Sequence, residues 1–228
     1  MRVMVIDTAL GLCTAGVFEV DGANLGWLGL RSEPMTKGHS ERIAGFARDA
    51  ATEAGVSFAR LDRIGVTVGP GSFTGLRVGL AFAQGLAAAL DRPLVGISGL
   101  DALAASAGEA PEIAALIDAR RGQVYARFWR GGAADGPAGA LTLEAAAGRI
   151  SALAGEAVLV GSGAALFADV AARRTVMALE GPAPEALARL TAAADPVLAP
   201  ARPLYLRAPD ATPPTRLPGQ ARGPVRAP

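Results

Sequence analysis

Residues 64–79, Ile-Gly-Val-Thr-Val-Gly-Pro-Gly-Ser-Phe-Thr-Gly-Leu-Arg-Val-Gly, constrain the fold more than any other stretch of the chain. Ile64, Val66 and Val68 alternate as strand residues do, with Gly65 and Thr67 small enough for close packing over the other side. Gly69-Pro70-Gly71 ends the strand: both glycines permit positive φ, and the proline removes a backbone donor. Ser72 or Thr74 can cap a helix that starts near Phe73 and runs to about Leu90. Strand, glycine turn and helix make half of a βαβ unit, with Gly69, Pro70, Gly71, Ser72 and Gly75 as its structural turn.

That helix is apolar nearly all round. At about 100° per residue, Phe73, Leu76, Leu80, Ala83 and Ala87 share one face, while Val78, Phe82, Leu86 and Ala89 lie roughly opposite. Arg77 and Gln84 form the polar stripe. Such a helix is buried on two sides, one against its own sheet and one under a second layer or another protein. The expectation is that Phe73, Leu76 and Leu80 face a partner, bordered by Arg77 and Gln84, and that Phe82 and Leu86 face the sheet.

The remaining chain reads as α/β. Arg2–Thr8, Cys13–Val20 and Leu25–Leu30 are three strands, the first ending on Asp7. His39–Ala54 is a helix with Ile43, Phe46, Ala47, Ala50 and Ala54 on its apolar stripe. Pro93–Ser98 is a strand and Gly99–Ala107 a helix, so residues 1–98 read as one lobe. A second lobe, 99–207, holds the hairpin Glu112–Asp118 and Gln123–Trp129, a Gly/Ala-rich loop at Gly131–Ala140, a helix over Glu144–Leu153, a strand over Ala157–Val160 with a turn at Gly161-Ser162-Gly163, and a last helix over Pro184–Ala194. Within Pro203–Arg207, the side chains of Leu204, Tyr205 and Leu206 are the ones expected to dock. Residues 208–228 are proline-rich and expected to be disordered.

Composition narrows the chemistry. With 22 basic and 21 acidic residues the formal charge is +1, which gives no global footprint for nucleic acid. One cysteine, Cys13, excludes an internal disulfide and a thiolate cluster. No leader is expected and apolar runs are interrupted short of about 18–20 residues, so the chain reads as cytoplasmic, without a membrane. His39 is the one histidine; a helical metal site would want a second ligand four residues on, where Ile43 stands. Asp7-Thr8-Ala9-Leu10-Gly11-Leu12-Cys13-Thr14 is a poor phosphate loop, with one glycine and no base. Asp7 remains open between a strand-end cap and a phosphate or metal role. The charged turn at Asp118–Gln123 and the Gly161–Gly163 turn are likewise open between plain turns and sites. No Walker or nucleophile-elbow motif occurs.

Met4-Val5-Ile6-Asp7-Thr8-Ala9, His39-Ser40-Glu41-Arg42-Ile43, Gly69 through Gly79, Ile117 through Tyr125 and Tyr205-Leu206-Arg207 occur in that order. In this combination the chain resembles the TsaB (YeaZ) family of bacterial tRNA threonylcarbamoyladenosine biosynthesis proteins, over all but about its last twenty residues. The resemblance implies an actin-like (ASKHA, Hsp70 and sugar-kinase type) two-lobed α/β fold, each lobe a mixed sheet with packed helices. It implies a non-catalytic subunit that binds and activates TsaD together with TsaE, forms a homodimer alone, and meets tRNA only through the complex. It implies no metal and no cofactor of its own, with ATP or ADP weakly held at the complex interface. On that reading His39, Arg42, Ile43, Phe46, Phe73, Leu76, Arg77, Leu80 and Gln84 form the partner interface, as a four-helix seam. Two other classes remain as alternatives: an active ATP-dependent actin-like enzyme, and an M22-type metallopeptidase.

Overall fold

The structure is a computed structural model, and it describes residues 1–171 and 173–207. The expected disorder of 208–228 therefore lies outside the described residues. Two mixed sheets form the frame. The first runs β3-β2-β1-β4-β5, from Asn24–Pro34 (β3), Leu12–Asp21 (β2), Arg2–Asp7 (β1), Arg63–Gly69 (β4) and Leu94–Ser98 (β5). β1, β2 and β3 are antiparallel; β4 and β5 run parallel to β1.

The second sheet repeats this plan although the sequence has no internal repeat. Glu112–Asp118 (β6) and Gln123–Arg130 (β7) form the hairpin; Val158–Val160 (β10) and Thr175–Met177 (β11) add in parallel. The Gly/Ala stretch expected as a loop supplies two edge strands instead, Ala133–Ala134 (β8) and Gly139–Thr142 (β9), both paired to β7. Their backbones alone make the ladder, so β-branched residues are not needed to mark them.

Helices cover both sides of the first sheet. Strand alternation sends Met4 and Ile6 to one side, against His39–Glu53 (α1) and Phe73–Leu90 (α2), and Val3 and Val5 to the other. That second side is covered by Pro184–Ala193 (α6), whose Leu187 and Ala188 are buried on Val95 and Ile97. The stretch 99–207 is thus not one unbroken second lobe: after β11 the chain returns to the first sheet. Arg63 fixes the return, its Nη1 donating to the carbonyls of Thr191, Ala192 and Ala194 at the end of α6. Gly99–Ser106 (α3) sits between the sheets, and Leu143–Ser151 (α4) with Ala168–Ala171 (α5) closes the far side of the second.

The expected α2 boundaries hold, with Ser72 capping through its hydroxyl to the Gly75 amide at 3.3 Å. The expected orientation does not. Leu76 is 1% and Leu80 4% exposed, in the core with Ala83 and Ala87, whereas Val78, Phe82 and Leu86 are half-buried and Phe73 is 57% exposed. Gly75 and Gly79 set the direction. A Cβ on Gly75 would overlap the Thr8 carbonyl, and one on Gly79 would come within 2.5 Å of Thr8 Oγ1, so this edge presses on the end of β1. By length and composition α2 would reach across a membrane, but here its buried edge packs on the sheet.

Candidate functional site

β1, β4, β6 and β10 all end at one place, the cleft between the two sheets, with a volume of about 670 Å³. At the end of β1, Asp7 Oδ1 accepts the Ala9 amide at 2.9 Å. At the equivalent end of β6, Asp118 Oδ1 accepts the Arg120 amide at 2.8 Å. Both strands thus end in an acid that closes its own turn. The Asp7 carboxyl is 1% exposed and its Oδ2 has no hydrogen-bond partner. Burial pushes its pKa up from 3.8 to about 6, against the Ala9 amide and, more weakly, the nearby Thr67 hydroxyl, which lies outside hydrogen-bonding geometry.

The glycine turn is bolted to the first hairpin turn. Ala9 O accepts the Ser72 amide at 2.7 Å, and the Thr8 hydroxyl donates to Gly75 O at 2.7 Å. Gly69 has φ 103°, as expected, and a cis bond joins it to Pro70. Gly71 does not need positive φ; it needs to lack a Cβ, which would overlap the Ala9 carbonyl.

The charged turn of the second lobe also lines the cleft. Arg120, Arg121 and Gly122 have φ of 59°, 53° and 72°, a left-handed run in which two residues carry side chains. Arg207 reaches this turn from the C-terminal segment, donating to Gln123 Oε1 and, at 3.5 Å, to Arg120 O. Ser162 of the Gly161–Gly163 turn accepts the Asp118 amide at its Oγ, at 3.3 Å. That turn leads into a short 3-10 coil and α5, shorter than a phosphate-holding helix.

The first hairpin turn is occupied by the chain itself. Glu180 O accepts the Gly11 amide at 2.9 Å, and its Oε2 would be 2.6 Å from a Cβ on Gly11. A carboxylate therefore rests against the turn that would face a phosphate. Nothing in the sequence between β11 and α6 signals this contact.

The residues expected at a partner interface are scattered. Ile43 (2% exposed) and Phe46 (4%) belong to the core, as Leu76 and Leu80 do, because the α1 stripe and this face of α2 pack on the same side of the sheet. His39 is buried beside the cleft with Nε2 unpartnered. Arg42 is exposed, bonded to Glu33 at 3.2 Å and lying over the Phe46 ring. Arg77 and Gln84, both exposed, bond to the chain's own segment 201–205: Gln84 Nε2 donates to Ala201 O at 3.2 Å. Leu204 donates its amide to Val68 O at 2.7 Å and packs on the core, so the expected docking of 203–207 holds for Leu204 and Leu206. Tyr205 is 49% exposed, its ring 5.7 Å from that of Phe73. The outward side of α2 is then Ala81, Gly85, Ala88 and Ala89, flanked by Val78, Phe82 and Leu86. Among the described residues no group of three or more His, Cys, Asp and Glu side chains is placed to share a metal.

A family model for TsaD, the tRNA N6-adenosine threonylcarbamoyltransferase, matches residues 29–149. The tRNA threonylcarbamoyladenosine biosynthesis protein TsaB of Escherichia coli is 33% identical over 181 residues, 75% of each chain. An uncharacterized protein of Mycobacterium tuberculosis is 36% identical over 212 residues, 92% of this chain and 94% of its own. Among solved structures, YeaZ from Pseudomonas aeruginosa superposes with a TM-score of 0.71 at 26% identity, covering 90% of this chain and 99% of that one. The paired sheets and their helices are those of the actin-like fold that the sequence implied. On identity, coverage and fold together, the chain belongs to the TsaB/YeaZ family of tRNA threonylcarbamoyladenosine biosynthesis proteins.

Proposed function

We propose that the chain is a non-catalytic subunit in the synthesis of threonylcarbamoyladenosine in tRNA, which binds a TsaD-type transferase and, with TsaE, makes it competent. One observation carries the non-catalytic part: the Glu180 carboxylate against the Gly11 turn. In an active ATP-dependent enzyme of this fold a phosphate would meet that turn, where the exposed Glu180 carboxylate would repel it. For the peptidase alternative, the position four residues after His39 is Ile43, a core residue. ATP or ADP, if held, then sits at the seam with the partner rather than at the Gly11 turn.

The partner surface is the outward side of α2. Ala81, Gly85 and Ala89 let another helix approach closely, and Val78, Phe82 and Leu86 supply apolar area beside them. The same side serves the homodimer, so the two associations compete. The test is reconstitution of tRNA modification from TsaD, TsaE, threonylcarbamoyl donor and tRNA, with and without this chain. Product only when the chain is present, and no ATP turnover by the chain alone, is the expected result. Steady ATP hydrolysis by the isolated chain, or full modification without it, overturns the reading.

A further inference from the structure

The cleft between the two sheets has a basic lip. Arg120, Arg121 and Arg207 line it from the second lobe. Left-handed backbone disfavours a Cβ, yet two successive positions of the hairpin turn adopt it with arginine rather than glycine. Strain of this kind collects at ligand sites. Arg120 pairs with Asp118 at 3.1 Å and its side chain is 85% exposed. Arg207 is bonded to Gln123 Oε1 and Arg120 O, two neutral acceptors that leave its charge uncancelled. On the first-lobe side, His39 opens α1 and lines the same cleft. It is 7% exposed, and its Nε2 is buried without a hydrogen-bond partner, so the ring lacks a polar neighbour there. α1 starts without a side-chain cap, on Gly38 at φ 85°, so the positive end of a 15-residue helix lies beside that ring. Leu10, Met35 and Tyr125 give the cleft its apolar lining.

We propose that the cleft binds a small organic monoanion, a carboxylate on an apolar body. The Arg120–Arg207 lip and the His39 imidazole receive the carboxylate, and Leu10, Met35 and Tyr125 take the body. The volume of about 670 Å³ suits a small molecule, and a guanidinium fork matches the two oxygens of a carboxylate. Charge selects a monoanion over a polyphosphate. Asp118 already offsets Arg120, and Glu180 stands exposed against the Gly11 turn in the same cleft. A polyphosphate would set one of its charges against Glu180, whereas a monoanion leaves that carboxylate in water. The site shares only the Glu180 contact with the function proposed above, and binding to the chain alone is read without turnover or a partner.

The experiment uses the full chain. His39 is its one histidine, so its ring gives a single isolated signal in a proton–carbon NMR spectrum. At constant pH, 4-phenylbutyrate should shift that signal saturably. The uncharged 4-phenylbutyramide should shift it about fivefold less at the same concentration, and pyrophosphate should leave it in place. Arg120→Gln, at an exposed side chain, should raise the half-saturating concentration of phenylbutyrate about fivefold. Glu180→Gln should lower it and admit pyrophosphate, a gain that a damaged fold would not give. Equal shifts from acid and amide overturn the proposal, since the cleft would then be an apolar pocket. So does a shift that never saturates, or one indifferent to Arg120→Gln. Saturation of the parent chain by pyrophosphate would make the ligand a polyphosphate and overturns it too, as does pyrophosphate kept out of Glu180→Gln as firmly as out of the parent.

Discussion

Arg77 donates from Nε to the phenol oxygen of Tyr205 at 3.3 Å, across 128 residues of chain, while its guanidinium lies 3.9 Å over the Phe73 ring. The polar stripe of α2 thus bonds to the chain's own C-terminal segment while its two side chains stay exposed. Together with Gln84 on Ala201 it fastens segment 199–207 along one edge of the helix, and Leu204 and Arg207 carry that segment on to β4 and to the hairpin of the second lobe. The opposite edge of α2, with Ala81, Gly85, Ala88 and Ala89, is exposed and carries no such segment.

The segment's hold is open to measurement. Tyr205→Ala removes the Arg77 bond and the ring contact with Phe73, both half-exposed, and should cost about 1 kcal/mol. Leu204→Ala empties a site on the core cluster and should cost about 2–3 kcal/mol. Denaturant melts give both values. Equal losses from the two would mean the segment is held by its exposed end, contrary to the burial seen.

Arg63 offers a test of the chain's return to the first sheet. Arg63→Met keeps the apolar stem and deletes three bonds to the end of α6, so the expected loss is about 2–3 kcal/mol. Amide exchange should rise first over 184–199. Protection unchanged there would show that α6 is fixed by Leu187 and Ala188 alone.

Asp7 makes stability fall with pH. The acid ionises near pH 3.8 when unfolded but at about 6 when buried. Below about pH 4 it is protonated in both states and has no effect. As pH rises through 4 to 6 the unfolded chain gives up its proton first, so the folded state becomes progressively less favoured, by about 3 kcal/mol at pH 7. Asp7→Asn should remove this term. Its stability advantage over the parent should widen by about 2 kcal/mol between pH 4.5 and pH 7.5. An advantage constant with pH means the carboxyl titrates normally.

Much of this was legible from local pattern. Alternation at Ile64–Val68, the Gly69–Ser72 turn and the α1 and α2 boundaries follow from rules that act over a few residues. The direction of α2 did not follow, because two apolar faces of similar size compete. The deciding signal was present and small: Gly75 and Gly79 mark the edge that touches β1, since only there must Cβ be absent. The Glu180–Gly11 contact and the return of α6 join residues more than 100 apart, and no periodicity reports such pairs. β8 and β9 were missed for a third reason, that an edge strand can be made by backbone alone.

The orientation of α2 yields the sharpest test. Leu80 is 4% exposed and surrounded by core residues, so Leu80→Ala should destabilise the isolated chain by about 2–4 kcal/mol. It should leave the affinity for a TsaD-type partner nearly unchanged once the protein is folded. Phe82 is half-buried on the flank of the exposed side. Phe82→Glu keeps its charge in water while the chain is alone, but association would bury that charge without a counter-ion, at a cost of several kcal/mol. Self-association and partner binding should both fall by about a hundredfold or more, with a smaller change in melting than Leu80→Ala gives. Sedimentation of each variant with and without the partner separates the two effects. If Leu80→Ala abolishes binding in a chain that melts normally, while Phe82→Glu binds as the parent does, the partner meets the face that this structure encloses.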